Sequence, residues 1–209
     1  MYYKKESLTM PDELENITYY DESNNIINHK NTERTEQTMA YEFIEPNDIV
    51  LELGGRYGTV SNSINYKLNN KTNHVVVEPD TLIIPALTKN KQNYQYYIEN
   101  SYISNKNKKI TGESYGKMMI DSDVSSNKIT YTEFKKKYPL KFNVLVADCE
   151  GCICEFLDIM GDDINNINKI FFEADQPHMC DYKEVIKKLI ALGFKEKKND
   201  NSFHYLYVR

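Results

Sequence analysis

Apolar positions along this chain alternate between two periods. Short unbroken runs stand at 49–51, 75–77, 142–147 and 170–172. Runs of that length, bounded by turn residues and lacking polar alternation, read as strands buried on both faces. Between them the spacing becomes helical. Val60, Ile64 and Leu68 lie four residues apart within a predicted helix at 59–68. Pro79 and Asp80 open another, with Leu82, Ile83, Ala86 and Leu87 inward, and 94–99 reads as a third strand. A short helix is expected at 130–138, and a further one at 149–157 directly after the run at 142–147. Val185, Ile186, Leu189, Ile190 and Leu192 form an amphipathic helix, with Asp181 and Glu184 spaced as a capping box and Gly193 as the C-terminal stop. Segments 194–197 and 203–208, joined by a turn at 198–201, close the chain as a hairpin. Strands alternating with helices imply an α/β fold, a parallel sheet covered on both faces. Ligands in such sheets sit at the carboxyl ends of the strands.

Two segments break the alternation. Residues 1–38 are polar and aperiodic, with Tyr2-Tyr3 and Tyr19-Tyr20 as aromatic anchors. They read as an N-terminal extension, a lid or dimer arm, ahead of a domain at 39–209 that opens on a short helix near 39–44. Residues 101–127 are long for a plain loop, so that stretch is functional or holds a short hairpin.

Composition narrows the classes. A chain of 209 residues suits one domain. With 26 basic and 31 acidic residues, a net charge of −5 argues against a nucleic-acid-binding surface, so no nucleic-acid partner is expected. No apolar run approaches the roughly 20 residues that span a bilayer, and the N-terminus lacks an apolar signal core. A cytoplasmic setting without a membrane partner follows, in which Cys149, Cys152, Cys154 and Cys180 are reduced thiols. Zinc is disfavoured, because only Cys180 and His178 could complete a set and a second close pair is missing. Richness in Asn, Lys, Ile and Tyr without Trp is typical of AT-rich coding DNA, as in a large DNA virus or a parasite.

The candidate chemistry concentrates at 48–80, which reads strand, glycine turn, helix, strand, acid. The turn Gly54-Gly55-Arg56-Tyr57-Gly58 lets a ligand approach the backbone. Glu52, two residues before it, would repel a pyrophosphate but can bond a methionyl ammonium. Glu78, ending the second strand, is placed for ribose hydroxyls. The stretch ELGGRYGTVS at 52–61 resembles the D-x-G-A-N-x-G-x-x-S motif of FkbM-type, S-adenosylmethionine-dependent O-methyltransferases. Glu78-Pro79 followed by Leu87 and Asn90, and Asp148-Cys149-Glu150-Gly151 with Glu155 and Leu157, resemble two further motifs of that family, in order, over about 45–175. Gly55 and Arg56 stand where the family has Ala and Asn, and Cys149 replaces an aliphatic residue.

The resemblance implies a Rossmann-like class I methyltransferase fold, a mostly parallel seven-stranded sheet with helices on both faces and a C-terminal antiparallel hairpin. It implies S-adenosyl-L-methionine held by Glu52, Gly54, Gly55, Arg56, Gly58, Glu78, Ser101 and Asp148, with Arg56 near the methionyl carboxylate. It also implies methylation of a sugar hydroxyl on a glycan or nucleotide-sugar precursor. A non-sugar small-molecule acceptor, and a catalytically silent S-adenosylmethionine-binding module serving as an assembly partner, are the alternatives; a homodimer is compatible with all three.

Methyl transfer is an in-line displacement, so the protein must hold an oxygen nucleophile in line and take its proton. Asp148 and Glu150 follow the fourth strand beside the expected methyl position. Glu173 and Asp175 end the fifth, and His178 in the same loop is the natural base, with an ordinary pKa of about 6.5. Asp148, Glu173 and Asp175 can also bind Mg2+ through hard oxygens. Glu155 reads equally as a site residue or a helix-capping partner, while His29, His74 and His204 show no constellation and read as structural.

Overall fold

A computed structural model describes residues 9–113, 117–124, 127–200 and 203–209. The chain begins with α1 (Asp12–Glu15), the strand pair β1 (Tyr19–Tyr20) and β2 (Ile26–Ile27), and α2 (Arg34–Phe43). Tyr2 and Tyr3 lie outside the described residues. The expected boundary at 38/39 falls inside α2, whose Met39 and Ala40 are buried. Met10, Leu14, Ile17 and Tyr19 form a small core of their own against Tyr41, Tyr66 and Tyr94. Asn90 fastens this segment: its side chain accepts from the Tyr20 N–H at 2.9 Å and donates to the Tyr20 and Tyr57 carbonyls.

The expected strands and helices follow: β3 (Val50–Leu53), α3 (Thr59–Lys67), β4 (His74–Val77), α4 (Ile84–Asn90) and β5 (Tyr97–Glu99). Helix α4 starts later than its sequence pattern suggests, and Leu82, in the turn before it, is 69% exposed. Residues 101–127 do hold a hairpin, β7 (Lys108–Thr111) with β8 (Met118–Asp121). It is framed by the parallel pair β6 (Tyr102–Ile103) and β9 (Lys128–Ile129). Helix α5 (Tyr131–Lys137) carries a full capping box from Thr130 and Glu133, whereas Asp181 caps the helix that follows it, α7 (Tyr182–Ala191), through its own carboxylate alone, accepting from the Lys183 and Glu184 N–H groups. The remainder is β10 (Val144–Ala147), α6 (Ile153–Met160), β11 (Lys169–Glu173), α7 (Tyr182–Ala191), and the hairpin β12 (Lys195–Asn199) and β13 (His204–Val208).

One seven-stranded sheet organises these elements in the order β12-β13-β11-β10-β3-β4-β5. Strands β5, β4, β3, β10 and β11 run parallel, while β13 is antiparallel to β11 and β12. Alternate residues serve opposite faces. Leu51, Leu53, Leu145, Ala147, Ile170 and Phe172 pack against Phe134, Phe156, Leu157 and Leu189 on one side. Val50, Val144, Val146 and Phe171 pack against Met39, Val60 and Ile64 on the other. Apolar residues at both parities explain why the central runs show no polar alternation. Strand order reverses between β3 and β10, and a crevice opens there above the carboxyl ends.

No helix among the described residues is long and apolar enough to cross a membrane. The expectation of four reduced thiols is overturned: Cys149 pairs with Cys152, and Cys154 with Cys180. The chain reversal after β11 brings Cys180 against α6, a contact that no local spacing reveals. Paired cysteines belong to oxidising surroundings, so thiol content no longer argues for a cytoplasm. The Cys154–Cys180 bridge spans 26 residues. Its removal in a Cys154→Ser/Cys180→Ser variant is expected to lower unfolding free energy by about 3 kcal/mol, read from urea midpoints. The Cys149–Cys152 bridge spans 3 residues and its removal should lower it by less.

Candidate active site

A cavity of about 610 Å³ occupies the crevice. Its walls are the start of α2, the turn after β3, residues 78–80, the β7/β8 hairpin, and the 148–156 turn into α6.

The turn after β3 brings strand ends into contact. Gly54 adopts φ +91°, and its N–H donates to the Val77 carbonyl at 2.9 Å. A Cβ on Gly54 would lie 1.6 Å from the Asp148 carbonyl oxygen, and one on Gly55 2.2 Å from Val76 Cγ1. These glycines allow β3 to meet its neighbours. Arg56 follows at φ +38°, and its N–H donates to Glu78 Oε2 at 2.8 Å. The other Glu78 oxygen accepts from the Asp80 N–H at 2.8 Å. Burial raises the Glu78 carboxyl above its ordinary pKa, and the two N–H bonds oppose that rise. Asp80 in turn meets Lys117 at 2.6 Å, which fastens the hairpin to this edge.

Four residues of the expected cofactor set line the cavity: Gly54, Arg56, Glu78 and Asp148. Glu52 does not. It shares a face of β3 with Val50, under α3, where Ser61 donates to it at 2.9 Å and His74 Nε2 stands at 2.8 Å. Strand alternation thus turns it out of the large cavity and into the wall of a small adjoining one. Gly55 also borders that small cavity, while Gly58 packs towards Leu87 and Tyr96. Ser101 is buried outside the lining, and its neighbours Tyr102 and Ile103 face the cavity instead.

Acids gather at the far end. Asp148, just past β10, is hydrogen-bonded to Glu173 at the end of β11; burial and the adjacent Glu173 charge push the Asp148 carboxyl well up. His204, starting β13, stands opposite Glu173 in the ladder. Its Nε2 lies 2.5 Å from Glu36 and 3.4 Å from Glu173, and its Nδ1 lies 2.5 Å from Asp200. Burial alone would lower its pKa, but these carboxylates raise it to about 11. Burial would likewise raise Glu173; the bonds from His204 and Asp148 outweigh that and hold it below its ordinary value. Glu33, bonded by the Thr59 hydroxyl, is pushed by burial up to about 7.

The structural reading of His204 is therefore corrected: it is the cation of this acid group. Its only sequence signal was its place in the closing hairpin, which says nothing without the β11–β13 register. The metal set Asp148, Glu173 and Asp175 is also rearranged, with Asp148 bonded to Glu173 and Asp175 to Glu150. Among the described residues, the three donors that come together are Glu36, Glu173 and His204, within 4.8 Å of one another. The His204 imidazolium already supplies the positive charge that an ion would bring there. His178 is exposed and outside the lining, so the loop that carries it presents Met179 to the cavity instead.

A second carboxyl pair also lines the cavity. Glu150 lies in the turn before α6 at φ +53°, and is bonded to Asp175. Gln176 Nε2 donates to Glu150 at 2.5 Å and to Asp175 at 3.1 Å. Burial and the Asp175 charge raise Glu150 to about 7. Glu155 accepts from Ser104 at 2.5 Å and meets Lys108 at 2.8 Å, tying α6 to the inserted segment.

No protein-family model matches this chain, and no curated protein is similar to it in sequence. Solved structures share its architecture. Precorrin-6y C5,15-methyltransferase from Geobacter metallireducens is 10% identical over 83% of this chain and 86% of its own, with a TM-score of 0.51. A Pyrococcus horikoshii protein provisionally named an RNA methyltransferase is 12% identical over 86% and 82%, with a TM-score of 0.50. M. capricolum TrmK, solved with S-adenosyl-homocysteine, is 11% identical over 82% of this chain, which spans 65% of TrmK, with a TM-score of 0.49. The fold is that of the class I methyltransferases. The expectation that excluded a nucleic-acid partner is corrected by this likeness, since the Pyrococcus protein named for RNA carries the same fold over most of both chains. Net charge sums over the whole surface, whereas binding depends on the local field.

Proposed function

We propose that this chain is an S-adenosylmethionine-dependent methyltransferase and that its 610 Å³ cavity holds the methyl donor. The observation that carries this is Glu78. It ends the second parallel strand, faces the cavity, and is aimed by the Arg56 and Asp80 N–H groups, with carboxylate lone pairs left for two ribose hydroxyls. At the opposite end Glu36, Asp148 and Glu173 line the cavity, and the three acids Glu36, Glu173 and Asp200 outnumber the single His204 cation, which leaves negative charge for a methionyl ammonium. When bound, the sulfonium supplies an activated methyl carbon. The residues of the chain bind the two ends, while the β7/β8 hairpin and the 148–156 turn cover the middle and limit water.

The acceptor atom in this reading is a hydroxyl oxygen. A sugar as its bearer is supported by the FkbM-like motifs, above all Asp148-Cys149-Glu150-Gly151. Calorimetry with S-adenosylmethionine and S-adenosylhomocysteine tests the cofactor: both should bind the full chain. Glu78→Ala should weaken both by about 10- to 100-fold, the worth of hydrogen bonds to a charged group. Failure of either ligand to bind the parent chain overturns the reading. Nucleotide sugars, other small hydroxyl compounds and RNA, offered in parallel, test the acceptor. Methylation of RNA alone overturns the sugar assignment, and binding without turnover on any of them favours the silent module.

A further inference from the structure

We propose that the proton of the methyl acceptor is taken by a carboxyl pair, Glu150 with Asp175, held as one unit by the Gln176 amide. This rests on the reading of the cavity as a methyl-transfer site.

Both carboxylates line the cavity and come from different elements, Glu150 from the turn after β10 and Asp175 from the loop after β11. They are hydrogen-bonded to each other, and Gln176 Nε2 donates to both. The Gln176 N–H is itself tied to the Tyr182 hydroxyl at 3.3 Å. Asp175 Oδ1 is buried and has no hydrogen-bond partner among the described residues. The loops are locked together as well: a Cβ on Gly151 would lie 3.1 Å from Met179 Cβ and 3.2 Å from Cys180 Cβ. The Cys149–Cys152 bridge closes the turn that carries Glu150, a non-glycine residue in the left-handed region.

The other candidates are committed elsewhere. His178 is exposed outside the cavity. His204 is a cation among Glu36, Glu173 and Asp200, with no lone pair to accept a proton. Glu173 is bonded by His204 and Asp148, and Glu155 by Ser104 and Lys108. Glu33 is held by the Thr59 hydroxyl, Glu36 by His204, Glu78 by the Arg56 and Asp80 N–H groups, and Asp80 by Lys117, which leaves Glu150 and Asp175. Two adjacent carboxyls cannot both ionise freely, so the pair keeps one proton and one negative charge near neutrality. The ionised member is the base, and the member that keeps the proton limits the negative charge gathered at the site.

In the step itself, the acceptor oxygen forms its bond to the methyl carbon as the sulfur–methyl bond breaks, and that electron pair goes to sulfur. The hydroxyl proton passes to the ionised carboxylate of the pair and then to solvent.

The test uses the full chain with S-adenosylhomocysteine bound, and the variants Glu150→Gln and Asp175→Asn. Infrared difference titration should show two carboxyls losing protons between about pH 6 and 8 in the parent, Glu33 and one of the pair; against the constant Glu33 signal, the pair's signal should vanish in Glu150→Gln. In Asp175→Asn the pair's signal should move to lower pH, because a neighbouring charge is gone; Glu173 and Tyr182 also face the pair and stay in place. Turnover of the methylated acceptor should fall about 100- to 10,000-fold in Glu150→Gln, with S-adenosylhomocysteine affinity unchanged. Two carboxyl titrations persisting in that window in Glu150→Gln, or turnover within about threefold of the parent, overturn the proposal. Should Glu150→Gln fail to fold, the shift in Asp175→Asn decides: no shift overturns it. Loss of cofactor binding by the parent would count against the methyltransferase reading instead, since the carboxyl titration can be read without ligand.

Discussion

Gly54→Ala is expected to remove about 4 kcal/mol or more of stability, at the far end of single-substitution effects. The added Cβ would meet the Asp148 carbonyl oxygen at 1.6 Å, a backbone atom that no rotamer change can move. The residue also holds φ +91°, where a side chain is strained in any case. Relief requires the ends of β3 and β10 to part, which breaks the Asp148 N–H bond to the Leu53 carbonyl at 3.0 Å. Gly193→Ala is the control, since φ is again positive at the end of α7 but nothing lies within 4 Å of the new Cβ; its cost should be about 1 kcal/mol. Urea unfolding of the two variants separates strain from collision. Equal midpoints would show that the two strand ends are not in contact.

His204→Leu should cost about 3–5 kcal/mol, the range for removing one partner of a buried ion pair. Glu36, Glu173 and Asp200 would be left facing one another without their cation. The parent should reveal the same group through pH. His204 has a folded pKa raised to about 11 from an ordinary 6.5. Its stabilisation is therefore complete below pH 6.5 and lost as pH climbs towards 11. Glu33 and Glu150, raised to about 7, also lower stability as pH rises, but their contribution is spent by then. Between about pH 8 and 10 the histidine is read as the difference between parent and His204→Leu, since other shifted groups such as Lys71 and Lys91 are common to both. Denaturation midpoints should fall more steeply across it in the parent than in His204→Leu. Equal slopes in the two would remove His204 from the acid group.

The apolar runs at 49–51, 75–77, 142–147 and 170–172 made the parallel sheet legible, because residues such as Val50 and Leu51 face opposite helical layers and neither can be polar. Glu78 stood out for a similar reason: an acid at the end of the second strand of such a sheet is placed at the carboxyl-end crevice, and Glu78 does line the cavity there. Glu52 misled, since its parity on β3, set by the buried Val50 beside it, turns it under α3. The apolar anchors within residues 1–38, Met10, Leu14, Ile17 and Tyr19, are too sparse to show a period, yet they bury together.

The chain by itself determined the layered architecture, the glycine turn and the placing of acids after strands, because these follow from local periodicity and from what each residue type tolerates. Tertiary structure decided which acids share a site. Glu150 meets Asp175 across two strand ends, Glu173 meets His204 only through the β11–β13 register, and Cys154 finds Cys180 26 residues away. Each of these depends on side-chain direction and on segments distant in sequence arriving at one place, and neither is written in local spacing.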